Sequence, residues 1–319
     1  MIQNILIDTL VTGLPLAPAF LGIYLVLRIR EDFDLTVEGS FALGGAVTAV
    51  ALAGSVPAWV ALLLGVASGA AAGLVTSLLH LVLRIPVLMA GLVMTMGPFS
   101  VTLRVQGMPT LSLLGKQTIF SPFTGGPGRG ADLAMSAVLG AIVLVVFVAF
   151  ALFLKTDIGL ALRASGLNAR MVRSQGVDDR ALLIMSLMIS NGLAALSGGL
   201  LVQVQGYGDV NMGSGIFIAG VGAVLLGVLI VNPAGSQVVR IVVAVVVGSL
   251  LYRLILVAAL RFGLPAGDLK GVTALTLVVA VAAQSYLAPA LGRYGVLLRR
   301  RRGRPDPTAD RIEMETTHA

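Results

Sequence analysis

The chain has 319 residues, 57% of them hydrophobic and 12% charged, with a net charge of +7 and a mean hydropathy of +0.98. A soluble domain carries about 25% charged residues, so this composition excludes one and predicts an all-α polytopic membrane protein. The absence of cysteine excludes a disulfide framework and a Cys-ligated metal site. The positive charge is not a nucleic-acid signal, because it gathers between Lys155 and Arg180 and from Arg293 onward. Beside apolar spans such clusters set topology and meet anionic lipid headgroups.

The first apolar span runs from about Ile5 to Leu27, close to the 20 or so residues that cross a bilayer as a helix. Asp8 belongs at its outer interface, and Arg28 and Arg30 stop it on the inner side, which places the amino terminus outside. Met1 to Arg28 lacks the basic start and small-residue site of a cleavable signal peptide. An acidic stretch with Glu31, Asp32 and Asp34 then leads into Glu38, Gly39 and Ser40. The apolar piece after it, Phe41 to Ala53, is too short to span. Asp34 to Ala53 therefore reads as one interrupted element, partly unwound near Gly39, which needs cover from protein or a water-filled cavity. The alternative is an ordinary helix entry with Glu38 at the interface.

Pro57 to Leu83 is a third span, with a small-residue face of Gly65, Ser68, Gly69, Ala72 and Gly73 suited to close helix packing. His80 near its inner end reads as an interfacial or hydrogen-bonded residue rather than a ligand. Pro86 opens a fourth span ending near Arg104, whose Met89, Met94 and Met96 suit either core packing or a path for varied solutes. Gln106 to Ala131 holds Pro109, Pro122, Pro127, Gly125, Gly126 and Gly128 and predicts turns. Its only basic residues, Lys116 and Arg129, suit the outside.

A fifth span, Leu133 to Leu154, ends at the polar stretch 155–180, whose Lys155, Arg163, Arg170, Arg173 and Arg180 turn it toward the cytoplasm. Within it Leu167, Met171 and Val172 share one broad side of a short amphipathic helix bracketed by Gly166 and Gly176. A solvated basic loop is the plain reading. The sharper one is a helix docked on a motor subunit, since so short a helix is marginal alone. Further spans follow at Ala181 to Val204, Gly215 to Val231, Ile241 to Leu260 and Val272 to Ala290, about nine in all, with a turn at Asn232 to Gly235. Arg253 inside the eighth either snorkels outward, pairs with Asp268 or lines a path. The membrane domain covers 1–298, and 299–319 reads as a basic, disordered cytoplasmic tail.

Two segments echo each other. Asp34-Leu-Thr-Val-Glu-Gly-Ser-Phe and Asp209-Val-Asn-Met-Gly-Ser-Gly-Ile each precede a short, glycine-interrupted apolar run. Five crossings separate them, so they enter from opposite faces, as inverted repeats around a transport path do; glycine-rich chains also produce false echoes.

Gly159, Arg163, Ala164, Gly166, Asn168, Met171, Gly176 and Val177 carry a resemblance. Their spacing is similar to the cytoplasmic loop of ABC importer permeases of the branched-chain amino-acid and ribose superfamily. Ser190 to Leu201 resembles the next membrane helix of that family, and Asp34 to Gly45 its early "D-L-S-V-G-S" segment. The Thr-Val-Glu-Gly wording looks like the tryptophan-type, small-solute branch, and Glu38 stands where the sugar branch has Gly. The resemblance covers about residues 10 to 290. It implies a bacterial inner-membrane permease subunit that works with an ABC ATPase subunit, an extracytoplasmic solute-binding protein and a second permease copy. It assigns ATPase coupling to Gly166, Leu167, Asn168, Met171, Val172 and Gly176. For the translocation path the two echoing segments offer Thr36, Glu38 and Ser40 with Asn211, Met212 and Ser214.

No catalytic constellation stands beside this reading. The chain holds two histidines and no Gly-Lys-Ser/Thr phosphate loop, so neither ATP hydrolysis by this subunit, nor a cofactor, nor a metal site is expected. An ion-coupled secondary transporter of a small solute is the competing class, and it calls for paired ionisable residues inside the spans. The discriminating observation is whether a nucleotide-binding subunit accompanies the protein.

Overall fold

The computed structural model describes residues 2–123, 129–231 and 238–302. Helix α1 (Ile2–Gly13) and helix α2 (Ala17–Tyr24) form one span, joined by a tight 3₁₀ turn over Leu14–Leu16 and continued by a wider π-helical turn over Leu25–Arg30. Pro15 lacks a backbone donor and breaks the α-helical ladder here, yet the span stays apolar and well buried. Helix α3 (Thr36–Ala53), helix α4 (Ala58–Leu83) and helix α5 (Val87–Gln106) follow through short connections at Pro57 and Pro86. Strand β1 (Thr110–Ser112) lies in the next loop, and helix α6 (Arg129–Lys155) leads to helix α7 (Asp157–Ser174). Helix α8 (Asp179–Gln205) ends at strand β2 (Tyr207–Asp209), which pairs antiparallel with β1. Helix α9 (Ile216–Val231), helix α10 (Val238–Arg261) and helix α11 (Leu269–Arg302) complete the chain.

The protein is thus all-α and polytopic; among the described residues seven helices are long and apolar enough to cross a membrane and two apolar ones are shorter, Ile216–Val231 and Leu269–Ser285. The predicted turn at Asn232 to Gly235 and the tail beyond Arg302 lie outside the described residues. α11 extends to Arg302.

α3 departs from its expected form. It runs without a break from Thr36 to Ala53 and is largely buried. Gly39 does not unwind it; a β-carbon there would lie 2.5 Å from the Met94 carbonyl oxygen, so the glycine permits contact with α5. The small-residue face of α4 behaves as its composition predicts. Gly65 sits against Thr48 and the Gly44 backbone of α3, while Gly69 and Gly73 meet the Asn191 and Leu187 carbonyls of α8. Without a hydrophobic drive between helices in lipid, such close backbone approach is a principal source of association. The central core is α3, α4 and α8 in mutual contact, with α9, α10 and α11 packed as a second group.

The two ends of the molecule differ. At one, α7 packs on the π turn and on the start of α8. At the other, β1–β2 lies across the end of α3, and Lys116 donates to the Ala53 carbonyl at 2.7 Å. His80 and Arg253 are both engaged locally. His80 Nδ1 lies 2.6 Å from the Ile85 carbonyl, and Arg253 Nε donates to Thr12 Oγ1 at 2.8 Å. The second pairing replaces the snorkelling and the Asp268 partner considered for Arg253.

Candidate functional site

The two echoing segments meet. From the α7 end, residues 31–35 lead from the π turn into α3; from the strand end, residues 210–215 lead from β2 into α9. A helix begins with unpaired backbone N–H groups and a partial positive charge, and α9 has Gly213, Ser214 and Gly215 ahead of it. Its cap comes from across the fold. Glu38 Oε1 accepts from the Gly215 N–H at 3.0 Å and lies 3.4 Å from the Phe217 nitrogen. A β-carbon on Gly213 would collide with the Glu38 carbonyl oxygen, so only glycine allows this approach.

Beside this junction is a cavity of about 230 Å³ lined by Glu38, Thr95, Met96, Phe99, Asn211 and Ser214 among others. Three of the six path residues named from sequence line it: Glu38, Asn211 and Ser214. The other three lie elsewhere. Met212 packs beneath Gly45 and Val202. Thr36 and Ser40 are fully buried in a polar network behind the cavity. There Thr36 Oγ1 meets Thr76 Oγ1 at 2.8 Å, and Ser40 donates to Asn191 Oδ1 at 2.7 Å. Asn191 in turn donates to Asp34 Oδ2 at 2.7 Å, and the Thr36 N–H donates to Asp34 Oδ1 at 2.9 Å. These bonds supply what buried polar groups require.

Sequence reasoning missed most of that network; of the α5 lining it offered Met96 as a possible path residue but not Thr95 or Phe99. Thr95 does more than line the wall; its hydroxyl donates to the Leu35 carbonyl at 2.9 Å and fixes residues 31–35 against α5. The available signal was a polar side chain in an otherwise apolar span: Thr95 in α5 and Asn191 in α8.

At the α7 end, the polar stretch is mostly helix. Thr156 caps its start by accepting the Gly159 N–H at 3.2 Å. The helix bends at Asn168, which takes an extended backbone (φ −158°, ψ 89°), and its Oδ1 accepts the Met171 N–H at 3.1 Å to start a second piece. Asn168, not Gly166, therefore opens the short amphipathic helix. Gly166 lies in the helix before the bend, where a β-carbon would collide with the Ile29 carbonyl oxygen. Gly176 ends the segment in the left-handed region at φ +80°, open to glycine at no steric cost. Val172 is buried, whereas Leu167 is 85% exposed and Met171 51%.

Arg30 joins this unit to the spans. Its guanidinium donates to Ser165 Oγ and to Asp179 Oδ1, each at 2.6 Å, and lies 3.3 Å from Asp32. Burial pushes the Asp32 carboxyl above the usual range, and the Arg30 charge opposes that rise. Among the described residues no group of three or more His, Cys, Asp or Glu could hold a metal ion.

Comparison with known proteins places these features in a wider set. The model of a family described as the permease component of branched-chain amino acid transport systems matches residues 5–282. A tyrosine transport system permease protein of Clostridioides difficile is 30% identical over 277 residues, 87% of this chain and 90% of that one. An uncharacterized protein of Rickettsia prowazekii is 31% identical across 88% of this chain and 97% of its own. A galactofuranose transporter permease protein of Escherichia coli is 27% identical, covering 69% and 63%. No solved structure matches the chain.

Proposed function

Because this chain belongs to the family of permease components of branched-chain amino acid transport systems, we propose that it forms the path by which an ATP-driven importer admits an amino acid or similar small solute. It is a transmembrane permease of the ABC importer class. The family assignment sets aside the ion-coupled secondary transporter.

The observation that carries the finer reading is the exposed apolar pair at the bend of α7. Leu167 and Met171 stand in the open at the end of the molecule rich in Lys and Arg, while Val172 anchors the same turn in the core. Exposed large apolar groups beside polar ones mark a surface that a partner covers. We assign that partner as the ATPase subunit, which places the α7 end and the carboxyl terminus in the cytoplasm and the amino terminus outside. Gly166, Asn168 and Gly176 set the shape of the docking unit. The tyrosine permease relative supports an amino-acid cargo handed over by an extracytoplasmic binding protein at the strand end. Glu38, Asn211 and Ser214 are the path residues this reading retains, and a second copy of the chain completes the path.

Leu167→Asp or Met171→Asp buries a charge in the docking contact, at a cost of several kcal/mol. Co-purification of the ATPase with the permease and solute-stimulated hydrolysis should both fall sharply. If both variants retain wild-type values for each, α7 does not dock the motor.

A further inference from the structure

We propose that Arg30 is a positioning residue that relays movement of α7 to the cavity at Glu38; this rests on α7 being the ATPase docking unit. Four observations converge on it. First, the Arg30 side chain is 8% exposed and its guanidinium holds three elements at once: Ser165 on α7, Asp179 in the first turn of α8, and Asp32 on the segment leading to α3. Second, α7 touches the span through backbone as well, at Gly166 against Ile29. No flexible side chain cushions that contact, so displacement of α7 moves Ile29 and Arg30 directly.

Third, the end of this span is not an ordinary helix terminus. Leu25–Arg30 is a π turn closed by Glu31 at φ +63°. Wide turns of this kind are frequent at functional sites, and a non-glycine residue in the left-handed region is held there by its surroundings. Fourth, the chain beyond Arg30 is fixed over the few residues to the cavity. Asp34 is tied to Asn191 and Leu35 to Thr95, and Glu38 then caps α9. Residues 31–35 therefore act as a short strut between the node and the cavity wall. A demonstrated bias of one element by both sites is what separates such a relay from mere adjacency.

The test uses the assembled permease–ATPase complex, because the chain contains no cysteine of its own. Ser214→Cys serves as the cavity reporter, and a methanethiosulfonate reagent measures its labelling rate with and without vanadate-trapped nucleotide. In the wild-type background the two rates should differ. In Arg30→Gln the ATPase should still co-purify and hydrolyse ATP, while the nucleotide-dependent difference shrinks by about tenfold, a typical coupling factor. Arg30→Lys, which keeps the charge but not the two-pronged geometry, should retain part of the difference. Where Arg30→Gln lowers the yield of folded complex, Ser165→Ala carries the test, with a smaller loss in the same direction. A wild-type nucleotide response in Arg30→Gln, or in Ser165→Ala where that variant is used, overturns the relay. Loss of ATPase co-purification in Leu167→Asp together with a wild-type nucleotide response in Arg30→Gln upholds docking and overturns the relay, whereas retained co-purification in Leu167→Asp and Met171→Asp overturns the docking on which the relay rests.

Discussion

Two segments of similar role enter the fold from opposite ends and meet at Glu38, yet they are held in different ways. Residues 31–35 are short, with Asp34 2% exposed, and are fixed by the Arg30 guanidinium on Asp32 and by hydrogen bonds from Thr95 of α5 and Asn191 of α8. Residues 206–215 are longer and held at the strand end by a three-residue ladder. Around that ladder Gln106 donates to the Gly208 carbonyl at 2.6 Å, and Thr110 donates to Asp209 at 2.7 Å in the open. Buried bonds that leave a charged group unpaired when broken cost far more than exposed ones. The difference teaches that the segment joined to α7 is the stiff one, and that the strand-side segment yields first.

The largest effect should come from the junctions where backbone meets backbone. Gly166→Ala and Gly213→Ala each place a methyl group into a carbonyl oxygen. Neither neighbour is a side-chain end that can rotate away, so both should cost about 3 kcal/mol or more. Thermal unfolding of the detergent-solubilised protein should show a lower midpoint for each, and near-wild-type midpoints would mean the segments lie farther apart. Next comes the buried network. Asn191→Ala leaves a buried Asp34 oxygen without the amide donor and Ser40 without its acceptor, at about 2 to 3 kcal/mol. Ser40→Ala removes one neutral bond, at about 1 kcal/mol. Equal losses in the two variants would show that Asp34 does not depend on Asn191.

Glu38 tests the junction itself. Glu38→Gln retains an oxygen that can accept from Gly215 and Phe217, so stability should change little. Glu38→Ala removes that acceptor and should cost about 1 kcal/mol, as loss of a helix cap does. The measurement is again the unfolding midpoint, and a Gln variant as weak as the Ala variant would show that charge, not the cap, holds α9.

Much of this organisation was legible in the sequence. Apolar run length revealed the spans, because crossing a bilayer leaves little choice of length, and the Asp34 and Asp209 echo pointed to segments that do meet. Individual side-chain directions were not legible. Ser40 and Thr36 stand within four residues of Glu38, yet helical rotation turns them toward α8 and α4 while Glu38 faces the cavity. Gly39 looked like a break because glycine is a poor helix former, but its use is a close approach to the Met94 carbonyl of α5, a partner distant in sequence. Arg30 read as the inner end of a span. Its partners lie 135 and 149 residues along the chain, and no local pattern reveals such a pairing.

The smallest expected effect lies at the strand end, and it bears most directly on the comparison. Thr110→Val keeps the shape of the side chain and removes the hydroxyl that donates to Asp209 Oδ2. The other carboxylate oxygen still accepts the Asn211 N–H at 2.8 Å, so the turn into the cavity wall persists. An exposed hydrogen bond is worth about 1 kcal/mol or less, and the global unfolding midpoint should barely move. Local opening has a lower free energy than global unfolding, so its population should respond where the midpoint does not. Hydrogen exchange at Gly208 to Met212 should quicken by a few-fold, in line with about 1 kcal/mol, while residues 31–35 keep their wild-type rates. Equal quickening in both segments would mean that they open as one unit and that the strand-side segment is not the weaker hold.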